Sequence, residues 1–270
     1  MIIGLGEVAR LLKANKEHFQ SEEFNNLMCS CGERAMTCPF WSVGKEVLTQ
    51  YDEKDIENKY LGLVRYFSEQ YGQDAILVDS SKNPNKYLSF LQDKYDLRVI
   101  FLVRDFRSWC YSRHSRNGTN IVRLAYRWYR DNHMMKRFLN KRKINYMTLG
   151  YEELSFYPEI MLKKICNFIG IDFCDKMLKP VQTSSHIIRG NITRVDSTKS
   201  QHIQYDARWL TSNKLSLLSP LFIPLLNWNK RNVYSNFMRG KTTAFKVNQQ
   251  DFILFGDAQK EEALRKLTER

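Results

Sequence analysis

A short run, Arg98–Val103 (RVIFLV), is apolar at every position after the first and rich in β-branched side chains. Continuous runs of this kind are typical of parallel strands that are covered on both faces. Arg104 and Asp105 end the run, and a segment with helical spacing follows them. The pattern indicates a buried strand that leads through a polar turn into a helix.

The same unit occurs earlier in the chain. Ala75–Val78 is a short apolar run that ends at polar residues 79–84, and helical spacing follows from about Asn85 to Tyr95. Ile144–Leu149 predicts a further strand. Strands that alternate with helices favour right-handed βαβ crossovers, so we predict an α/β fold with a doubly wound, mostly parallel sheet flanked by helices.

Ligands of such sheets bind at the carboxyl ends of the strands. We therefore expect two polar loops, Asp79–Asn83 and Arg104–Ser112, to line one edge of the sheet. At the start of the chain, Leu5, Val8, Leu11 and Leu12 have the spacing of one helical face. This spacing predicts that the chain enters directly into a helix over Gly4–Lys13.

Composition sets broad limits. The chain has 270 residues, of which 43% are hydrophobic, and it carries a formal net charge of +13. That length and hydrophobic content suit one sizeable core, so we predict one domain over residues 1–237 and an appendage over 238–270. The charge favours an anionic partner such as a nucleotide, a nucleic acid, a sulfated or phosphorylated ligand or a membrane surface; an ordinary basic surface is the alternative.

Six cysteines are too sparse for a disulfide scaffold, and neither a signal peptide nor an apolar stretch long enough for a bilayer is visible. We therefore expect a soluble, cytoplasmic protein. Cys29, Cys31 and Cys38 invite a zinc interpretation, but the nearest histidine is His18 and the spacing fits no usual zinc knuckle. The sequence favours a structural loop packed by Phe40 and Trp41, with no metal.

Arg104 and Ser112 are candidates for binding a phosphate monoester. If the strand ends at Val103, the arginine lies at its carboxyl edge and the serine lies one to two turns into the next helix. A guanidinium gives bidentate, charge-assisted bonds and the hydroxyl adds a directed donor. The alternative is a surface pair between Arg104 and Asp105, with Ser112 merely packed in the helix.

Several motifs occur together in a recognisable order. The chain contains GLGE (Gly4–Glu7), CSCG with CPFW, VDSSKNP (Val78–Pro84), VIFLVRDFRSWCYSR, YEEL, HIIRGN and DARW. The ordered set resembles the family of sulfotransferases that use 3′-phosphoadenosine 5′-phosphosulfate (PAPS), in its carbohydrate-like and bacterial branches, over roughly residues 4–235. The resemblance implies a P-loop-like fold in which Arg104 and Ser112 hold the 3′-phosphate.

The resemblance also implies in-line transfer of a sulfuryl group from PAPS, as co-substrate, to an acceptor hydroxyl or amine, without a metal. Glu7 is then the candidate base and Lys82 the candidate cation for the sulfuryl or bridging oxygens. The alternative for Glu7 is an ordinary glutamate in the first turn of a helix, and the alternative for Lys82 is a solvated loop lysine. The sequence does not decide whether the acceptor is an anionic sugar, a lipid head group or a small alcohol.

A late loop resembles the segment that folds over the nucleotide in this family. Arg189 would reach the 3′-phosphate, Gly190 would permit close backbone approach, and Asn191 would complete the cofactor-binding set. Arg194 is a weaker candidate than Arg189 for contacting a phosphate. His186 is a weak catalytic candidate, since a single histidine is more often a structural group.

One family feature is not found in the sequence. The loop that holds the 5′-phosphosulfate should lie upstream of GLGE, so the first strand and phosphate loop are expected to be missing. Gly4-Leu5-Gly6 lacks the required basic and hydroxyl residues and is not predicted to follow a strand. Either the true start lies upstream or the chain is a natural short form, and we expect weak or no transferase activity.

A second class of function stays open, namely a non-catalytic nucleotide- or nucleic-acid-binding protein. The net charge and the Arg/Trp/Tyr-rich segment Arg123–Arg137 are its support. A kinase is disfavoured because no Walker loop is evident. Our leading prediction is that the partners are a nucleotide co-substrate and an unknown acceptor. We expect no stable complex with nucleic acid, and the sequence does not indicate the oligomeric state.

Overall fold

The computed structural model describes residues 1–82, 85–179, 185–189, 203 and 205–234. The chain forms two compact units, Met1–Asp96 with Lys179–His202, and Leu97–Leu178 with Ile203–Arg270. The predicted appendage over 238–270 lies outside the described residues, and the proposed single domain over 1–237 stays a prediction.

The first unit pairs two parallel strands and surrounds them with helices. Its elements are β1 (Ile2–Gly6), α1 (Val8–Leu11), α2 (Lys16–Gln20), α3 (Glu22–Asn25), α4 (Trp41–Thr49), α5 (Ile56–Tyr71), β2 (Ile76–Asp79) and α6 (Asn85–Gln92). The strands are in register from Ile2 opposite Ile76 to Gly4 opposite Val78, with an irregularity before Gly6 pairs with Asp79. The core is rich in aromatic residues, including buried Phe19, Phe24, Phe40, Trp41 and Phe67.

The start of the chain differs from the prediction. Residues 2–6 form a strand rather than the first turns of a helix, and α1 begins only at Val8. Gly6 has a φ of +82°, which is incompatible with a right-handed helix. The prediction of direct entry into a helix at Gly4 was therefore wrong, because pairing with β2 decides the conformation of this segment.

The second unit also contains a parallel strand pair. Its elements are β3 (Val99–Val103), α7 (Phe106–Asn117), α8 (Ile121–Lys141), β4 (Tyr146–Gly150), α9 (Tyr151–Phe156), α10 (Pro158–Ile169), α11 (Asn213–Leu218), α12 (Ile223–Asn232) and short 3₁₀ helices at Asp175–Leu178, Arg208–Thr211 and Ser219–Phe222. The register runs from Val99 opposite Tyr146 to Val103 opposite Gly150. The predicted strands near 98–103 and 144–149 are confirmed to within two residues.

Helix ends in the second unit carry the expected capping residues. The Asp105 side chain accepts a hydrogen bond from the backbone N–H of Arg107 at the start of α7, and Asn120 caps α8. Gly118 and Gly170 end α7 and α10 in the left-handed conformation. The predicted α/β class, with parallel strands flanked by helices, is confirmed.

A buried polar network joins the carboxyl ends of β3 and β4. The backbone N–H of Asp105 donates to Glu152 Oε1 across 3.0 Å, and the Tyr234 hydroxyl donates to Glu152 Oε2 across 2.8 Å. Arg107 forms a bidentate pair with Asp105, at 2.9 and 2.7 Å, and lies over the ring of Trp209. Burial and the nearby charge of Asp105 raise the pKa of Glu152 to about 7.

Candidate active site

Glu7 and Lys82, the predicted catalytic pair, lie together in the first unit. Glu7 follows β1, and its side chain is only 10% exposed. Its Oε1 atom accepts a hydrogen bond from Lys82 Nζ at 2.6 Å, and its Oε2 atom lies 3.4 Å from Arg10 Nε. Glu7 makes no side-chain cap to α1, so it is not acting as an ordinary helix-capping acid. The carboxylate is instead held by two cations at the carboxyl end of the strand pair.

The DSSK sequence after β2 positions this pair. Asp79 Oδ1 accepts hydrogen bonds from the backbone N–H groups of Val8, at 3.3 Å, and Ser81, at 2.8 Å. Ser81 Oγ in turn accepts from the backbone N–H of Ala9 at 2.8 Å. Burial raises the pKa of Asp79, although these hydrogen bonds oppose the shift. Asp79 and Ser81 therefore hold the start of α1 beside the end of β2, where Lys82 follows.

Gly6 fits a site where two backbones approach closely. A Cβ atom at Gly6 would lie 2.6 Å from the carbonyl oxygen of Arg189 and 2.8 Å from Ile187 Cγ2. The Glu7 N–H donates to that same carbonyl across 3.4 Å, and the His186 N–H donates to the Gly4 carbonyl across 2.8 Å. The GLGE and HIIR motifs thus lie side by side, with the backbone of the late segment running along β1.

Arg189 points towards a basic cavity in the first unit. Its Nη2 atom lies 3.3 Å from His18 Nε2 and 3.9 Å from Glu23 Oε1. The cavity has a volume of about 500 Å³ and is lined by Arg10, Leu11, Lys13, Ala14, Asn15, His18, Glu53 and Arg189. Three of these side chains are cationic at neutral pH and one is acidic, so the cavity favours an anionic group. Gly190, Asn191 and Arg194 lie outside the described residues.

Arg104 lies directly after β3 in the second unit, as predicted, but its partners differ from those expected. Its Nε atom donates to Ser108 Oγ at 2.6 Å and its Nη2 atom donates to Asp206 Oδ2 at 3.0 Å. The guanidinium also lies 4.7 Å from the ring centroid of Tyr151, the first residue after β4. The alternative Arg104–Asp105 surface pair is wrong, because Asp105 binds Arg107 instead.

Ser112 is half-buried on α7, one turn beyond Ser108. Within the described part of the chain, Arg104 donates a hydrogen bond to the hydroxyl of Ser108 and makes none to Ser112. Residues four apart share a helix face, so Ser112 extends the same polar face of α7. The structure places Arg104 and Ser112 on neighbouring elements without joining them directly.

Asp206 is a functional candidate that the sequence did not identify. It accepts hydrogen bonds from Arg104 and, at 2.7 and 2.8 Å, from Arg208. Burial opposes its ionisation, but the two arginines outweigh burial and lower the pKa of Asp206 to about 2. The DARW motif was visible in the sequence, but nothing local indicated that its acid would lie beside Arg104.

The three clustered cysteines acquire a partner that the sequence analysis did not pair with them. Cys29, Cys31 and Cys38 lie beside His186, with their potential ligand atoms all within 4.8 Å of one another. His18, the histidine considered from the sequence, lies next to Arg189 instead. The sequence disfavoured a metal because the cysteine spacing fits no usual zinc knuckle and because no suitable fourth ligand was evident; His186 is a candidate for that fourth ligand.

Comparison with known proteins identifies the family. The model of the sulfotransferase family matches residues 8–175, which is more than half of the chain. The chain therefore belongs to the sulfotransferase family, which confirms the resemblance in its motifs, and sulfuryl transfer is the general reaction that this membership supports.

Similarity to individual proteins is weaker. The solved structure of a sulfotransferase domain from the curacin biosynthetic pathway is 16% identical, with a TM-score of 0.40, and the match covers 82% of this chain and 96% of that one. No curated protein matches the chain. No helix in the described ranges combines the length and apolar character needed to cross a membrane.

Proposed function

We propose that this protein transfers a sulfuryl group from PAPS to a hydroxyl or amine of an acceptor. The observation that carries the proposal is the position of Arg104 in a member of the sulfotransferase family. It follows β3 directly, and its Nη1 nitrogen makes no hydrogen bond within the described part of the chain. A guanidinium with a free nitrogen at the carboxyl end of a parallel strand suits a phosphate group.

The proposed 3′-phosphate contacts are Arg104 and Ser112, while Arg189, Gly190 and Asn191 stay predictions from the family resemblance. Tyr151 stacks on the Arg104 guanidinium and Ser108 binds its Nε atom. These contacts restrict the orientation of the guanidinium before a ligand arrives, which lowers the entropy cost of binding.

The proposed chemistry uses the pair at the end of β1 and β2. The acceptor oxygen or nitrogen attacks sulfur while the bond from sulfur to the 5′-phosphate oxygen breaks, and 3′,5′-adenosine bisphosphate leaves with that electron pair. Glu7 takes the proton from the acceptor. Lys82, 2.6 Å from Glu7, stabilises the negative charge on the sulfuryl or bridging oxygens.

Calorimetric titration with 3′,5′-adenosine bisphosphate tests the nucleotide site independently of turnover. We expect the wild-type chain to bind and Arg104→Ala to lose at least tenfold in affinity, because a charge-assisted phosphate contact is lost. Ser112→Ala should lose less. Arg116→Ala is the matched control, since it removes the same charge from an exposed position on α7.

Two outcomes would contradict the proposal. Failure of the folded wild-type chain to bind the bisphosphate would remove the nucleotide site. Equal losses in Arg104→Ala and Arg116→Ala, together with a steep dependence on salt, would indicate diffuse polyanion binding and favour the nucleic-acid alternative.

A further inference from the structure

Three cysteine thiols and one imidazole converge on a single point in the first unit. Cys29, Cys31 and Cys38 come from the turn-rich loop before α4, and His186 comes from the late segment that runs along β1. Cys29, Cys38 and His186 are buried, while Cys31 is exposed. All three cysteines are free thiols.

The three distances from Cys38 fit the edges of a tetrahedron around a small metal ion, and all four ligand atoms lie within 4.8 Å of one another. Cys38 Sγ lies 3.6 Å from Cys29 Sγ, 3.7 Å from Cys31 Sγ and 3.3 Å from His186 Nδ1. Tetrahedral zinc, with Zn–S of about 2.3 Å and Zn–N of about 2.0 Å, gives S···S edges of about 3.8 Å and S···N edges of about 3.5 Å. The three distances from Cys38 Sγ are each within a few tenths of an ångström of these values.

We propose that Cys29, Cys31, Cys38 and His186 bind one zinc ion in a structural site. Four protein ligands complete the tetrahedron and leave no position for water or substrate, which is the arrangement of structural rather than catalytic zinc. Three thiolates and a neutral imidazole leave the complex with a net negative charge. The backbone N–H of Trp41, 3.5 Å from Cys38 Sγ, is placed to stabilise it.

The cysteine ligands are held by a tight loop. Gly32 has a φ of +92°, which permits the turn after Cys31. The Cys29 N–H donates to the Glu33 carbonyl at 2.8 Å, and the Cys38 N–H donates to the Arg34 carbonyl at 2.7 Å. These backbone bonds bring both ends of the loop to the same point without any contribution from the thiols.

The histidine ligand is fixed from several sides. Its ring stacks on Phe40 and Tyr71, with centroid distances of 5.9 and 6.2 Å. Its carbonyl accepts a hydrogen bond from Trp41 Nε1 at 2.5 Å. Phe40 and Trp41 belong to the CPFW motif, so that motif orients the histidine as well as contributing Cys38.

A disulfide explains the cluster less well than a metal does. It would use two of the three sulfur atoms and leave one thiol and the imidazole beside it. Thiols are weak hydrogen-bond donors and acceptors, so mutual thiol contacts alone give little reason to gather three of them around a histidine. A divalent ion uses all four groups.

The proposed ion would also fix a part of the chain that the transfer reaction needs. Ser30, between two ligands, donates to the Ser185 carbonyl at 2.7 Å and accepts from the Ile187 N–H at 2.9 Å. The same segment contains Arg189, whose carbonyl accepts from the Glu7 N–H. Metal binding therefore holds the cysteine loop and the Arg189 segment together beside β1.

The first test is metal content. The full chain, produced without a polyhistidine tag, is analysed by mass spectrometry for metals, and we expect about one zinc per chain. Cys38→Ser and His186→Ala should each lower zinc retention after dialysis against a moderate chelator by at least tenfold. Cys174→Ser and His133→Ala, which change residues outside the cluster, should retain it.

The second test uses only the wild-type chain and so does not depend on whether variants fold. Cobalt replaces zinc under reducing conditions, and three thiolate ligands should give intense near-ultraviolet charge-transfer bands together with the visible bands of tetrahedral cobalt. Zinc should then displace cobalt and abolish these bands.

Three results would overturn the proposal. One is a reduced, folded wild-type chain that binds neither zinc nor cobalt. Another is a disulfide among these cysteines, detected as a mass two daltons lower in the freshly purified protein. The third is stoichiometric iron in place of zinc, which would keep the cluster as a metal site but refute its assignment to zinc.

Discussion

Asp206 lies beside the guanidinium of Arg104, with Asp206 Oδ2 accepting a hydrogen bond from Arg104 Nη2 at 3.0 Å. Asp206 is ionised at neutral pH, because the hydrogen bonds of the two arginines overcome its burial and keep its pKa at about 2. A phosphate group on Arg104 therefore meets a neighbouring negative charge.

We predict that Asp206→Asn tightens the binding of 3′,5′-adenosine bisphosphate several-fold. The substitution removes the repulsion between two anions while keeping a polar side chain. Calorimetry at fixed salt measures the change. Asp131→Asn, at a carboxylate paired with Arg127 and Arg130 on α8, is the matched control and should change affinity little. A weaker Asp206→Asn complex would show that Asp206 orients Arg104 for binding.

Gly6→Ala should destabilise the protein through two separable effects. Both Gly6 and Gly72 have positive φ angles, of +82° and +88°, but a Cβ atom clashes only at Gly6. We expect Gly72→Ala to lower the free energy of unfolding by about 1–3 kcal/mol, because a φ of +88° with a ψ of 161° is a backbone conformation essentially restricted to glycine. Gly6→Ala should cost about 1–3 kcal/mol more. Chemical denaturation measures both, and equal losses would contradict the close approach of Arg189.

The stability of the second unit should fall as Glu152 ionises. Its pKa is about 7 in the folded protein against an ordinary value of 4.5, so the folded state retains a proton that the unfolded state releases. Between these two pH values stability must decrease as pH rises. Glu152→Gln removes this titration, so its stability relative to wild type should increase from pH 5 to pH 8.

Equilibrium unfolding at several pH values checks the Glu152 prediction. Glu159→Gln, at an exposed carboxylate paired with Lys163, should leave the pH dependence of the wild type unchanged. A stability difference between wild type and Glu152→Gln that stays constant with pH would show that Glu152 does not titrate in this range.

Glu7→Gln should impair transfer without impairing nucleotide binding. A general base contributes about 10²- to 10⁴-fold to a rate, so we expect any kcat that the wild-type chain shows with its best acceptor to fall at least a hundredfold. Affinity for the bisphosphate should stay within about twofold. Glu57→Gln, at an exposed glutamate paired with Lys94, is the control. Unchanged kcat in Glu7→Gln would exclude Glu7 as the base.

The sequence predicted the positions of β2, β3 and β4 well because their signal is local. Val99–Val103 is continuously apolar, and a run of that kind needs no knowledge of distant residues to be identified as a strand. The expectation that this strand is covered on both faces was wrong, because Ile100 and Leu102 are exposed. Residues 2–6 were misassigned for the opposite reason. Their apolar spacing continues into α1, and only pairing with β2, some seventy residues later, makes them a strand.

The candidate site shows the same division between local and distant information. The motif order drew attention to Glu7, Lys82 and Arg104, each of which directly or closely follows a strand end, and their roles stay predictions. The partners Asp206, 102 residues from Arg104, and His186, 148 residues from Cys38, could not be assigned from spacing. Long-range packing alone brings these residues to the site.

The register of β3 and β4 makes the Arg104 site sensitive to chain length. Val103 lies opposite Gly150, so the next residues, Arg104 and Tyr151, leave the two strands side by side. Deleting one residue within β4 would turn the strand's side chains to the opposite face. The Tyr151 ring would then be separated from the Arg104 guanidinium, even though the composition of the chain would barely change. Insertions in the turn between α8 and β4 would leave Arg104 and Tyr151 side by side. Natural variation in length should therefore occur in that turn and be absent from β4.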